Sequence, residues 1–255
     1  MNSLIHTFVA RPYVVAFLCA FLVLAIFHFG VLRTLGWILV GTLVAFLSEY
    51  SSIHNGFPYG LYHYLYDAMR GEIMIGGVPI WDSISYVFIA YASYATAWFF
   101  VENIEPKSKL ENYISPASPV RVVLIASILM MLADVIIDPV ANLGDRWFLG
   151  KIYFYPEGGI YFGVPLSNFG GWWLVAMTLY LFYAALEKWV FTPLQIPMRG
   201  AFRFKGQALL GPLFYFSIAA FNVFIAFWIG EQMLAWTCVM ILLPLVTLFL
   251  HRAIR

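Results

Sequence analysis

Charge is what this sequence has least of. Only 11% of the 255 residues are Asp, Glu, Lys or Arg, while 63% are hydrophobic. Soluble domains carry about 25% charged residues. The composition therefore excludes an ordinary soluble domain and predicts an integral membrane protein. Because the formal net charge is +1 and no basic face stands out, we expect no nucleic-acid partner.

Cysteine and the familiar catalytic motifs are also scarce. The two cysteines, Cys19 and Cys238, lie inside apolar runs, where we expect small buried side chains rather than a disulfide framework or a metal site. His54 and His63 share one loop but lack the spacing of metal-binding helices. No serine nucleophile elbow, phosphate-binding loop or HExxH motif occurs. We therefore expect neither a metal nor a cofactor.

Long apolar runs are abundant. Seven of them approach the roughly 20 residues that a helix needs to cross a membrane, at 13–32, 34–49, 81–101, 119–140, 164–187, 208–228 and 233–250. The first is too long for a signal-peptide core and no small-residue cleavage pattern follows it, so we expect an anchor. The runs predict an all-α, polytopic transmembrane helix bundle of about seven spans, forming one domain over residues 1–255.

The loops on the two sides of the membrane differ in Lys and Arg. One side holds Arg11, Arg70, Arg146 and Lys151. The other holds Arg33, Lys107, Lys109, Arg121, Lys188, Arg199, Arg203, Lys205, Arg252 and Arg255. Since cytoplasmic loops are the richer in Lys and Arg, we expect the C-terminus in the cytoplasm and the N-terminus outside. The cytoplasmic segments 102–118 and 188–207 have the composition of plain connecting loops.

A repeated pattern runs through the middle of the chain. An acid near the end of a span is followed by an aromatic loop, a Gly-Val-Pro triplet and a new apolar run, first over about 34–101 and again over about 119–187. The equivalent pairs are Glu49 and Asp138, Gly60 and Gly150, Gly77 and Gly163, and Asp82 and Asn168. We predict an internal duplication of this helix-loop-Gly-Val-Pro-helix unit, followed by two last spans at about 208–250.

The two loops of the repeat, 50–80 and 141–163, are rich in Gly, Pro and aromatic residues. This is not the composition of disordered linkers, so we expect the loops to pack against the helix ends or the membrane surface. An aromatic belt at headgroup depth accounts for most of their rings: Tyr50, Tyr59, Tyr62, Tyr64, Tyr66, Trp81, Trp147, Tyr153, Tyr155 and Tyr161.

Three acids lie within or at the rim of the predicted spans: Glu49, Asp134 and Asp138. An acid at the centre of a span costs about 2.5–3.5 kcal/mol, so these side chains face protein or water. Asp134 and Asp138 are one helical turn apart and share a face. Two close carboxylates do not both ionise easily in a low dielectric. The spacing therefore favours a proton donor beside a carboxylate base.

Each acid also has a structural alternative. Pro139 favours a helix break at Asp138, which would leave that carboxylate as a cap for loop amides. Glu49 has a similar alternative, and Asp134 has the alternative of pairing with Arg146 or an amide. His54 is a candidate for a proton relay with Glu49.

Two polar residues occupy equivalent places after the Gly-Val-Pro triplets. Asp82 and Asn168 are both of types that cap helix N-termini, which is the first explanation for them. The functional alternative is that they face the seam between the repeats and orient water or the acids. Of Trp172 and Trp173, which follow in the fifth span, we expect one to line a cavity and the other to meet lipid.

The chain resembles a known family through a set of short segments. These are Ser48-Glu49-Tyr50, Gly-Phe-Pro-Tyr-Gly-Leu-Tyr-His-Tyr at 56–64, Gly-Val-Pro at 77–79 and Val-Pro-Leu-Ser-Asn-Phe-Gly-Gly-Trp-Trp at 164–173. Together, over about residues 40–185, they resemble the integral-membrane carotenoid biosynthesis proteins, which include carotenoid 1,2-hydratases and the bisanhydrobacterioruberin hydratase of haloarchaea. The resemblance implies a long polyene substrate with an acyclic (ψ) end and a bacterial or archaeal cytoplasmic membrane.

The reaction implied by the resemblance is addition of water across the terminal C1,C2 double bond, giving a tertiary alcohol. Such chemistry needs a strong acid, a site that tolerates a cation and a positioned water. We expect Asp134 or Glu49 to protonate carbon, and Asp138, with Asn168 or His54, to hold and deprotonate the water. Aromatic faces stabilise cations, which suits Tyr59, Tyr62, Trp81 and Trp172.

Two other classes of function stay open from the sequence. One is a non-enzymatic carrier or scaffold that binds carotenoid or another prenyl lipid between the repeats. The other is an intramembrane lipid-modifying enzyme, for which no nucleophile or head-group clamp is evident. Membrane lipid and other carotenoid-pathway enzymes are the further partners that we expect.

Overall fold

The computed structural model describes residues 3–101, 120–196 and 206–254. In these residues the chain forms eight α-helices: α1 Ser3–Ala10, α2 Pro12–Phe29, α3 Val31–Asn55, α4 Ile80–Val101, α5 Val120–Asn142, α6 Leu166–Leu186, α7 Leu210–Trp228 and α8 Gln232–Ile254. All but α1 belong to the seven helical segments that are long and apolar enough to cross a membrane. The prediction of an all-α bundle with about seven spans is confirmed.

The boundary between the first two spans differs from the prediction. A single residue, Gly30, separates α2 from α3, with φ +78°, a conformation that glycine adopts without steric cost. Helix α3 then continues past Glu49 to Asn55 and ends at Gly56, which is left-handed at φ +82°. The predicted span 34–49 was therefore too short at both ends, because a helix that leaves the apolar layer can continue under the loop that covers it.

Pro139 does not break α5 at Asp138, as the sequence had suggested. The helix runs through the proline to Asn142. Proline removes one backbone donor, but only one short turn follows Pro139 in α5, and that turn stays helical. Asp138 consequently stays on the same helical face as Asp134 rather than at a free helix end.

Helix α4 forms the centre of the bundle. In the most apolar 18-residue stretch of α4, 78% of the residues are buried, whereas 17% are buried in the corresponding stretch of α8. Large rings fill the space around α4: Trp37, Tyr91, Tyr94, Tyr180 and Tyr183 are all buried. Trp37, Tyr180 and Tyr183 donate to backbone carbonyls, Tyr180 to Ala90 O at 3.1 Å, and the Tyr91 hydroxyl bonds His28 Nδ1. The core is thus aromatic, with its hydroxyls satisfied inside the bundle.

The two cysteines differ in environment. Cys238 is buried, as expected, but Cys19 is exposed on the surface of the bundle. The expectation for Cys19 was wrong because an apolar residue of a membrane span faces lipid as readily as protein. Both are free thiols.

The long loops at 56–79 and 143–165 meet each other. Strand β1 (His63–Tyr64) in the first loop pairs antiparallel with β4 (Tyr153–Phe154) in the second, with Tyr64 opposite Tyr153. A separate two-stranded ladder joins β2 (Met74–Ile75) to β3 (Val78–Pro79) at the entry to α4. The β1–β4 ladder therefore ties the two aromatic loops together over one end of the bundle, which we call the loop end.

Ion pairs fix both ends of the bundle. At the loop end Arg11 pairs with Glu72, and Arg146 pairs with Glu231. At the opposite end Arg33 of α3 binds Glu187 at 2.6 Å, where α6 continues as a π-helical turn over Glu187–Phe191. The start of the predicted 188–207 loop is therefore helical.

The segment 102–118 and the basic residues Lys107, Lys109, Arg199, Arg203, Lys205 and Arg255 lie outside the described residues.

Which end faces the cytoplasm stays a prediction, as do the internal duplication and the single domain over residues 1–255.

Candidate functional site

Asn168 joins the two aspartates of α5. It is the third residue of α6, it is 2% exposed, and it makes no capping hydrogen bond. Its side-chain amide donates instead to Asp134 Oδ2 at 2.6 Å and to Asp138 Oδ2 at 3.2 Å. Since one amide group reaches both carboxyls, Asp134 and Asp138 stand side by side, as their helical spacing predicted.

Asp138 is the most heavily hydrogen-bonded of these acids. Besides Asn168, it accepts from the hydroxyls of Tyr153 and Tyr155, the latter at 2.9 Å. The sequence alternative, a cap for loop amides, is not what the structure shows, because these donors are side chains. Three donors on one carboxyl stabilise its negative charge.

Asp134 has the opposite environment. Its side chain is 1% exposed, and its Oδ1 atom has no hydrogen-bond partner among the described residues. Of the two partners considered from the sequence, Arg146 binds Glu231 instead, whereas the amide alternative is present, since Asn168 donates to Oδ2. A buried polar atom without a partner is costly unless it serves a role. One oxygen of Asp134 is therefore free to act on a molecule that enters the site.

A second pair of acids lies between α3 and α4. Glu49, which is 8% exposed, accepts from Tyr62, and its Oε2 atom lies 3.3 Å from the Tyr64 hydroxyl. The Tyr64 hydroxyl also contacts Asp82 Oδ2. Asp82 is the third residue of α4, and its carboxyl faces this tyrosine. The side chain of Tyr64 thus bridges Glu49 and Asp82 as Asn168 bridges Asp134 and Asp138.

The four tyrosines that serve these acids form one group. Side chains alternate along a strand, so Tyr62 and Tyr64 share a face, as do Tyr153 and Tyr155. The Tyr62 ring centroid lies 5.3 Å from that of Tyr64 and 5.9 Å from those of both Tyr153 and Tyr155. The β1–β4 ladder thereby unites both acid pairs in one site. We call Glu49, Asp82, Asp134, Asp138, Asn168, Tyr62, Tyr64, Tyr153 and Tyr155 the acid cluster.

Burial keeps these phenols protonated. It raises the pKa of Tyr64, Tyr153 and Tyr155 well above the ordinary value, and the neighbouring carboxylates raise it further. Ionised phenols beside carboxylates would place like charges together in a dry site. The tyrosines therefore remain hydrogen-bond donors to the acids throughout the physiological range.

An aromatic group borders the acid cluster. Tyr59 is 1% exposed, and its hydroxyl lies 2.9 Å from that of Ser48. Its ring centroid is 6.1 Å from that of Trp172, which in turn is 4.9 Å from Tyr86. Trp172 and Trp173 are both partly buried. The rings of Tyr59, Trp172 and Tyr86 thus form one aromatic group, and the cation-stabilising role of Tyr59 and Trp172 stays a prediction.

Trp81 and His54 make other contacts. The Trp81 ring carries the guanidinium of Arg11, 4.8 Å from its centroid, so that face already holds a cation. His54 is exposed, stacks on Tyr50 at 4.2 Å and bonds its Nδ1 to Tyr50 O at 2.7 Å. Among the contacts of the described residues, His54 joins none of the acids. Its role as a relay stays a prediction.

Sequence reasoning missed four residues at the site. Tyr64, Tyr153 and Tyr155 had been assigned to an aromatic belt, and Arg11 had been counted only as a loop charge. A signal for the tyrosines was present, since the pattern Tyr-x-Tyr occurs in both loops. For Arg11 no signal existed, because its partners Glu72 and Leu149 are distant in the chain.

Within the acid cluster Glu49 and Asp134 are buried, whereas Asp82 and Asp138 are partly exposed. The deepest carboxyl of the cluster, that of Asp134, is almost fully buried. A groove of about 590 Å³ lies elsewhere, along the second half of α8, lined by Leu243, Pro244, Thr247, Leu248 and His251. In the described part of the chain, no three His, Cys, Asp or Glu side chains are placed to hold a metal ion.

Fold and site together define a polytopic membrane protein with buried acids held by neutral donors at one end of its bundle. The family model for carotenoid biosynthesis proteins matches residues 10–250, and the chain belongs to that family. The comparisons with curated proteins and with solved structures give no match. Family membership assigns the protein a biosynthetic role in the carotenoid pathway, in a membrane and on apolar isoprenoids.

Proposed function

We propose that the protein is a hydro-lyase that adds water across the terminal C1,C2 double bond of an acyclic (ψ) carotenoid end group, giving a tertiary alcohol. The observation that carries this proposal is the acid cluster. Four carboxyls from α3, α4 and α5 meet in a buried site, where Asn168 and Tyr64 each bridge two of them. Such a site offers both a proton donor and a base within reach of one end group.

The first step is protonation of carbon. A neutral carboxylic acid of the cluster, Asp134 or Glu49, gives its proton to C2, the C1,C2 π-electron pair forms the new C–H bond, and C1 becomes a tertiary cation. The unpartnered Oδ1 of Asp134 supports this step. An alkene carbon is a weak hydrogen-bond acceptor, so the donating O–H must leave any hydrogen bond to another oxygen before it protonates the carbon.

The cation at C1 needs stabilisation in a dry site. Aromatic faces supply it through their quadrupoles, by about 2 kcal/mol or more for a desolvated cation. Tyr59, Tyr62 and Trp172 are the rings beside the acids that suit this role. Trp81 is the weaker candidate, because Arg11 covers its ring.

The second step is attack by water. The water oxygen bonds to C1, and one of its protons passes to a carboxylate base. Asp138 suits this role, because three donors hold it in place and stabilise its charge. Asn168 donates to both Asp134 and Asp138 and so holds the acid and the base in fixed positions relative to each other. The sum of the steps is substrate plus water to alcohol, so no redox cofactor is required.

Substrate must reach acids that are buried. The β1–β4 ladder covers the site with only two residue pairs, so few hydrogen bonds hold the two aromatic loops together. In this account the loops separate to admit the end group and close again before the proton is transferred.

The test is expression in a bacterium that makes lycopene or γ-carotene and has no hydratase of its own, followed by mass spectrometry of the pigments. The proposal predicts products heavier by one water per ψ-end, which an empty vector does not give. Unchanged pigments with several ψ-end substrates, at normal protein levels, would overturn the proposal and favour a carrier.

Amide variants then separate chemistry from folding. Asp134→Asn, Asp138→Asn and Glu49→Gln nearly keep the shape of each side chain. General acid or base catalysis is worth about 10²–10⁴-fold, so we expect losses of that order in product with unchanged amounts of protein in the membrane. Loss of the protein itself would instead assign these acids a structural role.

A further inference from the structure

Tyr64 has one hydroxyl proton and two acidic neighbours. Its oxygen contacts Asp82 Oδ2 and lies 3.3 Å from Glu49 Oε2. A hydroxyl donates only one hydrogen bond and accepts others. If both carboxyls were ionised, one of these contacts would set an oxygen lone pair against a carboxylate oxygen. Both contacts are favourable only when one of the two acids is protonated and donates to Tyr64.

A buried arginine, Arg11, lies against the residue that precedes Asp82. Its guanidinium is 3% exposed and stacks on Trp81, the residue before Asp82. It also binds Glu72, with Nη2 2.8 Å from Oε1, and donates from Nη1 to Leu149 O at 2.5 Å. Arginine remains charged under all physiological conditions. The charge of Arg11 thus lies beside the first turn of α4, which carries Asp82, whereas Glu49 meets the phenols of Tyr62 and Tyr64.

We propose that Glu49, Tyr64 and Asp82 form a proton relay, in which Glu49 donates to Tyr64, Tyr64 donates to Asp82, and Arg11 fixes this order. This inference rests on the proposed function only for its use in turnover. Asp82 lies nearer the loop surface and is partly exposed, while Glu49 is buried beside the α5 acids. The relay therefore connects the loop end with the interior of the acid cluster.

The relay refills Glu49 without opening the site. When Glu49 has lost its proton, Asp82 takes one up from the loop side and passes it to the Tyr64 oxygen. Tyr64 gives its own hydroxyl proton to Glu49. Asp82 ends as a carboxylate, Tyr64 as a neutral phenol and Glu49 as a neutral acid, so one proton has moved inward and no other bond has changed.

The charges that bear on Asp82 come from several elements. The charged or ionisable groups are Arg11 before α2, Glu49 in α3 and Asp134 and Asp138 in α5, the neutral phenols are Tyr13, Tyr59, Tyr64 and Tyr153, and Glu72 acts through its ion pair with Arg11. Of the basic side chains among these, only Arg11 bears on Asp82. Glu72 partly neutralises it, which offers a way to alter the field without touching the acids.

The experiment is infrared spectroscopy of the full-length protein in lipid nanodiscs during a pH titration. Difference spectra against Glu49→Gln and Asp82→Asn assign the two carboxyl groups. At neutral pH the relay predicts that Glu49→Gln removes a protonated-carboxyl band and that Asp82→Asn removes a carboxylate band. The reverse order, or carboxylate bands for both, would overturn the proposal.

Two variants of the arginine pair must shift the Asp82 signal in opposite directions. Glu72→Gln leaves the positive charge of Arg11 unneutralised, so Asp82 should ionise at lower pH than in the wild type. Arg11→Gln removes that charge, so Asp82 should ionise at higher pH, while Arg11→Lys should change little. If Arg11→Gln does not fold, Glu72→Gln decides alone: an unchanged or upward shift contradicts the role of Arg11.

Tyr64→Phe tests the relay itself, with Tyr66→Phe as its control. The Tyr66 ring adjoins that of Tyr64 but is 53% exposed. In Tyr64→Phe the infrared bands of Glu49 and Asp82 should titrate independently of each other, and kcat should fall about tenfold or more with KM nearly unchanged. Tyr66→Phe should change neither the titration nor kcat. If Tyr64→Phe leaves the bands coupled, the relay is wrong. If the wild type makes no alcohol but the bands behave as stated, the proposed function fails and the relay stands.

Discussion

At the scale of single residues, the buried acids are held by neutral donors rather than by cations. Asp138 accepts from two phenols and one amide, and Glu49 contacts the hydroxyls of two phenols. A carboxyl that is held in this way can gain or lose a proton while its neighbours stay in place, because none of them is a fixed countercharge. That property suits acid–base chemistry better than a salt bridge would.

The same tyrosines predict how stability depends on pH. Burial raises the pKa of Tyr153 and Tyr155 above the unfolded value of about 10. Above that pH the unfolded chain loses these protons and the folded chain keeps them, so the free energy of unfolding falls as pH rises. The melting temperature should therefore fall more steeply between neutral and alkaline pH in the wild type than in the double variant Tyr153→Phe/Tyr155→Phe.

The control for that comparison is Tyr66→Phe, since Tyr66 is exposed. It should keep the wild-type slope. Equal slopes in the wild type and the double variant would show that the two phenols ionise as easily in the folded protein as in the unfolded chain.

The sequence located the acids and two of their donors, Tyr62 and Asn168, but missed the other three. Ionisable residues are rare inside spans, so Glu49, Asp134 and Asp138 stood out against their apolar surroundings. Tyr64, Tyr153 and Tyr155 did not, because an aromatic belt already explained rings at that depth. Which tyrosine reaches which acid depends on the pairing of β1 with β4, and these strands are only two residues long.

At the scale of elements, α6 packs closely against the first aromatic loop. A Cβ atom on Gly171 would lie 2.6 Å from Tyr59 Cδ1 and 2.7 Å from Pro58 O. Gly171 therefore lets the loop that carries Tyr59 and Tyr62 approach the helix that carries Asn168. This contact sets the distance between the aromatic faces and the acids.

Gly171→Ala should push the Pro58–Tyr59 segment away from α6. We expect a loss of about 1–3 kcal/mol in stability, typical of overpacking, together with a lower yield of product. Gly170→Ala is the matched control, because a Cβ there meets nothing within 4 Å and alanine favours helix by up to about 1 kcal/mol. Thermal unfolding and pigment analysis check both, and equal effects of the two changes would argue against the close contact.

Apolar runs in the sequence predict where the membrane spans lie, but they do not predict where each helix ends. All seven spans were found from them, since a membrane span needs a run of fixed length. The end of α3 at Asn55 and the course of α5 through Pro139 were not found. Both lie where a helix leaves the apolar layer, and there the packing of the loops, rather than hydropathy, decides whether the helix continues.

At the scale of the whole molecule, the two ends of the bundle have different tasks. The loop end holds the acid cluster and its two linked loops. The opposite end holds the buried Arg33–Glu187 pair, which joins α3 to α6. Breaking such a buried pair costs about 3–5 kcal/mol, so this contact contributes to the fold at a distance from the chemistry.

The distribution of Lys and Arg predicts the orientation of the bundle. With the C-terminus in the cytoplasm, a fluorescent protein fused after Arg255 should fluoresce, and alkaline phosphatase fused there should be inactive. Fusions to the N-terminus should give the reverse pattern. An active phosphatase at the C-terminus would place the acid cluster at the cytoplasmic surface instead of the outer one.

The most direct measurement supplies the purified protein with a ψ-end carotenoid in water labelled with deuterium and heavy oxygen. The account predicts an alcohol with one heavy oxygen at C1 and one deuterium at C2 per hydrated end, and a loss of about 10²-fold or more for Asp134→Asn. An alcohol without solvent label at those positions, or undiminished turnover in Asp134→Asn, Glu49→Gln and their double variant, would contradict proton transfer from the acid cluster.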